Sequence, residues 1–243
     1  MKTIAVFNWL AVGVVGAILW TQPVFLPVRS EIPPLLQKDT LPEGARFKKE
    51  IEAFLSNDAT NPPPKNAILF IGSSSIRLWT NLASDFPAHS VFNRGFGGSE
   101  ISDSIAYAHR IVIPYQPRLI LFYAGGNDIN GGKLPEVVFE DFKRFVATVH
   151  QSLPQTKIAA ISIAPTLARW PQVDKVRKAN SLIEYFTRSD KRLSFINVFD
   201  SMLGEDGLPR QDIFAKDRLH LNDRGYAIWK RALQPILGPP DRD

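Results

Sequence analysis

Four short polar blocks stand out in the sequence: Gly72-Ser73-Ser74-Ser75, Gly95-Phe96-Gly97-Gly98-Ser99, Gly125-Gly126-Asn127-Asp128 and Asp217-Arg218-Leu219-His220. Together they hold the parts of an acyl-transfer site. A serine hydroxyl is a weak nucleophile unless a neighbouring imidazole takes its proton. Ser74 is the candidate nucleophile and His220 the candidate base. Asp217, three residues before the histidine, can hold the imidazole in the right tautomer and stabilise the imidazolium as it forms. An oxyanion also needs preorganised donors, each worth about 3–4 kcal/mol. The Ser74 N–H, the Gly98 N–H and the Asn127 side-chain amide would supply three, and glycine at 98 lets bare backbone approach the substrate closely.

Taken singly, each block also reads as a turn. Their weight lies in occurring jointly, in this order, on successive strand ends. Competing chemistries are excluded by particular residues. Glu100 stands where the third glycine of a dinucleotide fingerprint belongs, and no phosphate-binding G-x-x-x-x-G-K-[ST] occurs. Ile76 replaces the last glycine of a G-x-S-x-G elbow. The absence of cysteine removes thiol nucleophiles, disulfide scaffolds, zinc fingers and iron–sulfur clusters. No H-E-x-x-H-type spacing points to a metal. His89, His109 and His150 follow no strand and are read as structural, and Asp128 as a brace for the Asn127 loop. Ser73 and Ser75 flank the nucleophile, but the register of the G-x-S block selects Ser74. Arg169 and Trp170, in the loop Pro165–Pro171, are candidate contacts for an acyl chain or sugar; Trp170 read blandly covers a helix end.

The elements that must position these blocks follow from hydrophobic patterning. Ala67–Ile71, Ser90–Asn93, Leu119–Ala124, Lys157–Ala164 and Leu193–Val198 are short apolar runs of the kind that form strands buried on both faces. Helical spacing covers about Ser74–Leu82, Glu100–Arg110, Pro135–Leu153, Val173–Arg188 and Asp223–Ile236. Such alternation implies an α/β domain with a mostly parallel sheet and helices on both faces. Right-handed crossovers then bring every strand's C-terminal end to one edge, where ligands bind.

These blocks resemble those of the SGNH hydrolases, the GDSL esterase/lipase superfamily, over about residues 45–237. Ser74 matches the first block's serine, Gly98 the second block's glycine, Gly125–Asp128 the G-x-N-D of the third, and Asp217 and His220 the final D-x-x-H. Phe70–Trp79 (FIGSSSIRLW) is similar to a GDSL-like lipase/acylhydrolase subgroup related to platelet-activating-factor acetylhydrolase. The resemblance implies a three-layer α/β/α, flavodoxin-like domain on a five-stranded sheet. It also implies ester hydrolysis by Ser74, His220 and Asp217 without metal or cofactor. One departure is visible: Ser73 occupies the position of the family's aspartate. The expected activity is that of a serine esterase cleaving a short-chain acyl or O-acetyl group, from a lipid or an acetylated carbohydrate, through an acyl-enzyme. The alternatives are a non-catalytic glycan- or lipid-binding module and an O-acyltransferase with a sugar acceptor.

Outside this domain, assigned to 65–238, two segments differ in character. Residues 1–28 are a signal peptide or membrane anchor: after Lys2, Ile4–Trp20 is apolar but for Asn8. Residues 29–64 are a proline-punctuated connector with an amphipathic helix at 45–56 that presents Phe47, Ile51, Phe54 and Leu55 on one face. The leader predicts an extracytoplasmic location, secreted, periplasmic or membrane-anchored. Residues 1–64 carry six basic and six acidic side chains, so the net charge of +5 belongs to residues 65–243. No run of more than two consecutive basic residues and no nucleic-acid-binding motif accompanies it, which argues against a nucleic-acid partner.

Overall fold

Strands that are apolar on both sides need dry partners above and below, and this chain supplies them in two layers. The computed structural model describes residues 46–241. Its strands are β1 (Ile68–Gly72), β2 (Val91–Gly95), β3 (Leu119–Tyr123), β4 (Lys157–Ile161) and β5 (Leu193–Ile196). They pair in the order β2-β1-β3-β4-β5, every pair parallel. The sheet expected to be mostly parallel is thus wholly so. Its helices are α1 (Lys48–Thr60), α2 (Ser74–Arg77), α3 (Leu82–Asp85), α4 (Ile101–Ile111), α5 (Gly126–Asn130), α6 (Pro135–Ser152), α7 (Val173–Thr187) and α8 (Asp223–Leu233).

Alternate side chains of each strand feed opposite cores. Leu69, Ile71, Ile120, Phe122, Ile158 and Ala160 pack under α1, α4, α6 and α7. Ile68, Phe70, Leu119, Leu121, Ala159 and Ile161 pack against α2, α3 and α8. The result is a three-layer α/β/α fold. Because the chain steps from β1 outward to β2 and returns past β1 to β3, the strand order reverses between β1 and β3. At such a switch point the connecting loops diverge and leave a crevice.

The amphipathic helix of the connector is α1, slightly later than its spacing suggests. It shares the first core: Ile51 has no exposed surface. Arg94 of β2 pairs with Asp58, which also accepts from the Tyr115 hydroxyl. The Arg94 guanidinium lies 5.0 Å from the Phe54 ring centre and 4.9 Å from that of Tyr115. A buried cation is thereby paired, as burial requires.

Three predicted elements are shorter than their patterns. The helix begun at Ser74 stops at Arg77, because Trp79 turns inward onto Phe70, Phe86 and Tyr226 and its indole N–H donates to Asp85 at 2.7 Å. The β4 run stops at Ile161 rather than Ala164. Beyond it the Asn180 side chain takes both backbone groups of Ile163, at 2.8 and 3.0 Å, and the Ser162 hydroxyl accepts from the Val198 and Phe199 amides. β5 likewise ends at Ile196, two residues early. The proposed leader, 1–28, and the start of the connector lie outside the described residues. Among the described residues no helix is long and apolar enough to cross a membrane.

Candidate active site

The crevice at the switch point is built by the turns that leave β1 and β3. Gly72 ends β1 with φ +142°, a conformation that side chains rarely adopt, and a Cβ there would stand 1.8 Å from the Tyr123 carbonyl oxygen. Glycine is the residue that lets β1 turn this close to β3. The Ser73 amide then donates to that same carbonyl at 2.9 Å. Ser74 follows as the first residue of α2, where backbone N–H groups have no helical acceptor.

The Ser74 hydroxyl lies 2.8 Å from His220 Nε2. His220 Nδ1 lies 2.6 Å from Asp217 Oδ2, while Asp217 Oδ1 accepts the Leu219 and His220 amides at 3.0 Å each. Those two backbone donors, with the imidazole, pull the Asp217 carboxyl down to about 2. An ionised carboxylate only accepts, so Nδ1 carries the ring proton and Nε2 presents its lone pair to Ser74. Arg218 takes the left-handed conformation, φ 59°, that closes this tight turn.

The β2 and β3 loops are tied to the same point. Phe96 N–H and the Ser99 hydroxyl both donate to the Gly72 carbonyl, at 2.9 and 3.3 Å. Between them Gly98 has φ +81° and accepts Arg46 on its carbonyl. Asn127, on α5, donates from Nδ2 to the Ser99 carbonyl at 2.8 Å and accepts Arg169 Nη2 on Oδ1 at 3.0 Å. Asp128 is wholly buried, and both its oxygens receive the Ile101 amide, at 3.2 and 3.3 Å. It shares Lys133 with Asp141 and Glu100, at 2.9, 2.9 and 3.0 Å. Burial raises the Asp128 carboxyl; burial opposes the charge on Lys133, but the hydrogen bonds it donates to its three carboxylate partners outweigh that and raise it.

A narrow cavity opens beside Ser74, lined by Tyr123, Ile163, Trp170, Val173 and Val176 on its apolar side and by Asn127 and His220 on its polar side. It encloses about 30 Å³, room for roughly two water-sized groups by that measure. Among the described residues no group of three His, Asp or Glu side chains is arranged to hold a metal.

The residues named from sequence are therefore distributed as follows. Ser74, His220 and Asp217 form one hydrogen-bonded line, and Asn127 joins the same cavity. Gly98 sits in the loop bonded to Gly72 and Asn127 rather than on the cavity wall. Arg169, expected to face an acyl chain or sugar, lines the same cavity and also grips Asn127. Trp170 lines the cavity and packs on the core, with the Arg177 guanidinium 6.0 Å from its ring. Of the other histidines, His150 meets the Thr156 carbonyl at 2.9 Å, His89 is buried and His109 is exposed. Sequence patterning missed α5, Ser162 and Asn180; the last two are lone polar residues with no signature until the β4 end is seen to need their hydrogen bonds.

Residues 72–228 match the family described as GDSL-like lipase/acylhydrolase. Solved structures share the fold. A GDSL-like lipase from Bacteroides thetaiotaomicron is 20% identical, with 77% of this chain and 96% of that one covered at a TM-score of 0.65. A member of the lipolytic G-D-S-L family from Veillonella parvula is 15% identical, covering 70% and 96% at 0.60. A mutant acetyl-xylooligosaccharide esterase from Geobacillus Stearmophilus is 14% identical, covering 74% and 99% at 0.59. No curated protein sequence matches the chain.

Proposed function

Because the chain belongs to the GDSL-like lipase/acylhydrolase family, and is thereby a hydrolase, we propose that it is a serine esterase that removes a short acyl group, acetyl in the first instance, through an acyl-enzyme. The observation that carries this reading is the line from Ser74 Oγ through the His220 ring to Asp217, with steps of 2.8 and 2.6 Å.

In this mechanism Ser74 Oγ attacks the ester carbonyl as His220 Nε2 takes its proton. The oxygen that gains charge is held by the Ser74 N–H, the Gly98 N–H and the free hydrogen of Asn127 Nδ2. Collapse breaks the bond to the leaving alkoxide, which receives the proton from His220. Water then enters, loses a proton to the same nitrogen and attacks the acyl-enzyme; the acid departs and Ser74 regains its proton. Asp217 stays ionised and compensates the imidazolium in both halves. The small cavity beside Ser74 supports an acetyl-sized acyl group, and a fold shared with an acetyl-xylooligosaccharide esterase makes acetylated carbohydrate a first substrate class to examine, ahead of short-chain lipid esters. The hydrophobic leader supports action outside the cytoplasm.

A fluorophosphonate probe is expected to label the full-length protein and, in doing so, to block its release of p-nitrophenol from p-nitrophenyl acetate. Ser74→Ala is expected to lose both labelling and turnover. Undiminished labelling of that variant would show that another nucleophile is at work.

A further inference from the structure

Arg169 stands on the short helical turn Leu167–Gln172 that follows β4. It is half-buried, burial lowers its pKa, and among the described residues it pairs with no carboxylate. Its hydrogen-bonding partner is neutral, the Asn127 side-chain oxygen at 3.0 Å. Keeping an uncompensated guanidinium in such a place is costly unless a negative charge arrives there.

The chemistry of the contact says what it does. A guanidinium only donates, so it decides which end of the Asn127 amide is oxygen. The opposite end then donates one hydrogen to the Ser99 carbonyl at 2.8 Å and keeps the second for the cavity. A cation behind the amide oxygen also draws electron density from the nitrogen and strengthens the remaining N–H as a donor. The backbone under Arg169 is itself braced: the Ala168 amide donates to the Arg218 carbonyl at 3.1 Å, and the Arg169 amide to Thr166 at 3.3 Å. Arg169 is thus fixed to the segment that carries Asp217 and His220.

We propose that Arg169 is a positioning residue that aims and polarises the Asn127 amide, so that its positive charge is compensated only when the oxyanion forms. This rests on the reading of Asn127 as an oxyanion donor. The side chain acts on the transition state and leaves ground-state binding alone.

The test compares the full-length protein with Arg169→Met, which keeps bulk but has no donor, and Arg169→Lys, which keeps charge. Three readouts are taken with p-nitrophenyl acetate: kcat, KM and the inhibition constant of a methyl trifluoromethyl ketone, whose adduct with serine carries the oxyanion. Arg169→Met is expected to lower kcat by about 10- to 100-fold, the scale of losses from misplaced catalytic groups, with KM within twofold. The ketone should weaken by the same factor, and Arg169→Lys should recover part of both. A loss confined to KM would make Arg169 a substrate contact and overturn the proposal. Unchanged kcat and ketone binding would overturn it equally, and so would a Lys variant no better than the Met variant. If Arg169→Met does not fold, the Lys variant is read instead: a partial loss of kcat with an equal loss of ketone affinity and KM within twofold bears the proposal out, and undiminished kcat and ketone binding, or a KM-only loss, overturns it. A wild-type protein with neither turnover nor Ser74 labelling would instead remove the esterase reading itself.

Discussion

One Asp217 carboxylate both shapes the turn that carries His220 and aims the His220 ring: Oδ1 holds the backbone amides of Leu219 and His220, and Oδ2 faces Nδ1 at 2.6 Å. The candidate base and the carboxylate that orients it are therefore held together within one four-residue turn.

Substituting Asp217→Asn separates these two roles. The asparagine oxygen can still accept the turn amides, but its NH₂ then faces Nδ1 and forces the ring proton onto Nε2, where it points at Ser74 and leaves no lone pair to take the hydroxyl proton. The turnover number is expected to fall by about 10³- to 10⁴-fold, as a reversed tautomer does in serine proteases, with the melting temperature nearly unchanged. Because the native carboxyl sits at about 2, well below the ordinary value of about 3.9, it remains ionised through the whole working range and loses charge only as the pH approaches about 2. The ratio of wild-type to variant rates is accordingly expected to be flat from about pH 5 upward, and a ratio that collapsed within that range would contradict the assignment.

The proposed preference for a short acyl group rests on the small cavity beside Ser74. Among p-nitrophenyl esters, kcat/KM is expected to be highest for acetate and to fall from butyrate to octanoate. Val176→Ala, on the apolar wall, should move the optimum one or two carbons longer, since about 0.8 kcal/mol accompanies each methylene newly buried. An octanoate preference in the wild type would contradict an acetyl-sized pocket.

Lys133 neutralises three carboxylates behind the Asn127 loop. Lys133→Met leaves Asp128 buried without its cation, whereas Asp141 keeps Arg144, and a loss of about 2–4 kcal/mol is expected at neutral pH from breaking a largely buried pair. The folded pKa of Asp128, already raised by burial, then rises further above the unfolded one. The penalty is fully present above the new folded value and disappears below the unfolded value of about 3.9, where both states hold the proton. Urea melts of both proteins at pH 7 and pH 4 should show the gap narrowing on acidification; a gap that stayed constant would exclude electrostatics as its cause.

Gly72→Ala must place a methyl group against the Tyr123 carbonyl at a φ that alanine avoids. A destabilisation of about 3 kcal/mol or more is expected, read as a fall in the urea midpoint together with lost Ser74 labelling. Gly207→Ala serves as a control, since it also has positive φ but meets nothing within 4 Å. Equal losses in the two variants would show that backbone conformation, and not the approach of β1 to β3, dominates.

The sheet was legible because Ile68–Ile71 and Leu119–Tyr123 are apolar without interruption, which a helix or an edge strand of this length does not require. The site was legible because its polar residues stand immediately after those runs. What the sequence hid were partnerships between side chains far apart in the chain. Arg169 could be placed at the active edge from its loop, and it lines the cavity there, while its hydrogen bond to Asn127 depends on where two loops meet. Trp79 continued a helical pattern, yet aromatic packing on Phe70 and Tyr226 outweighed the local propensity. Asn180 caps the end of β4 from within α7, and nothing in its neighbourhood distinguishes it from any polar position on a helix.

The two halves of the catalytic apparatus are anchored with unequal firmness. Ser74 grows from the end of a central strand, whereas Asp217 and His220 ride on a four-residue surface segment tied down by a few backbone hydrogen bonds, among them the link from Ala168 to Arg218. Such a segment can come and go while the sheet stays intact. Warming or mild denaturant would then silence the enzyme ahead of global melting, and the silence would lift on cooling.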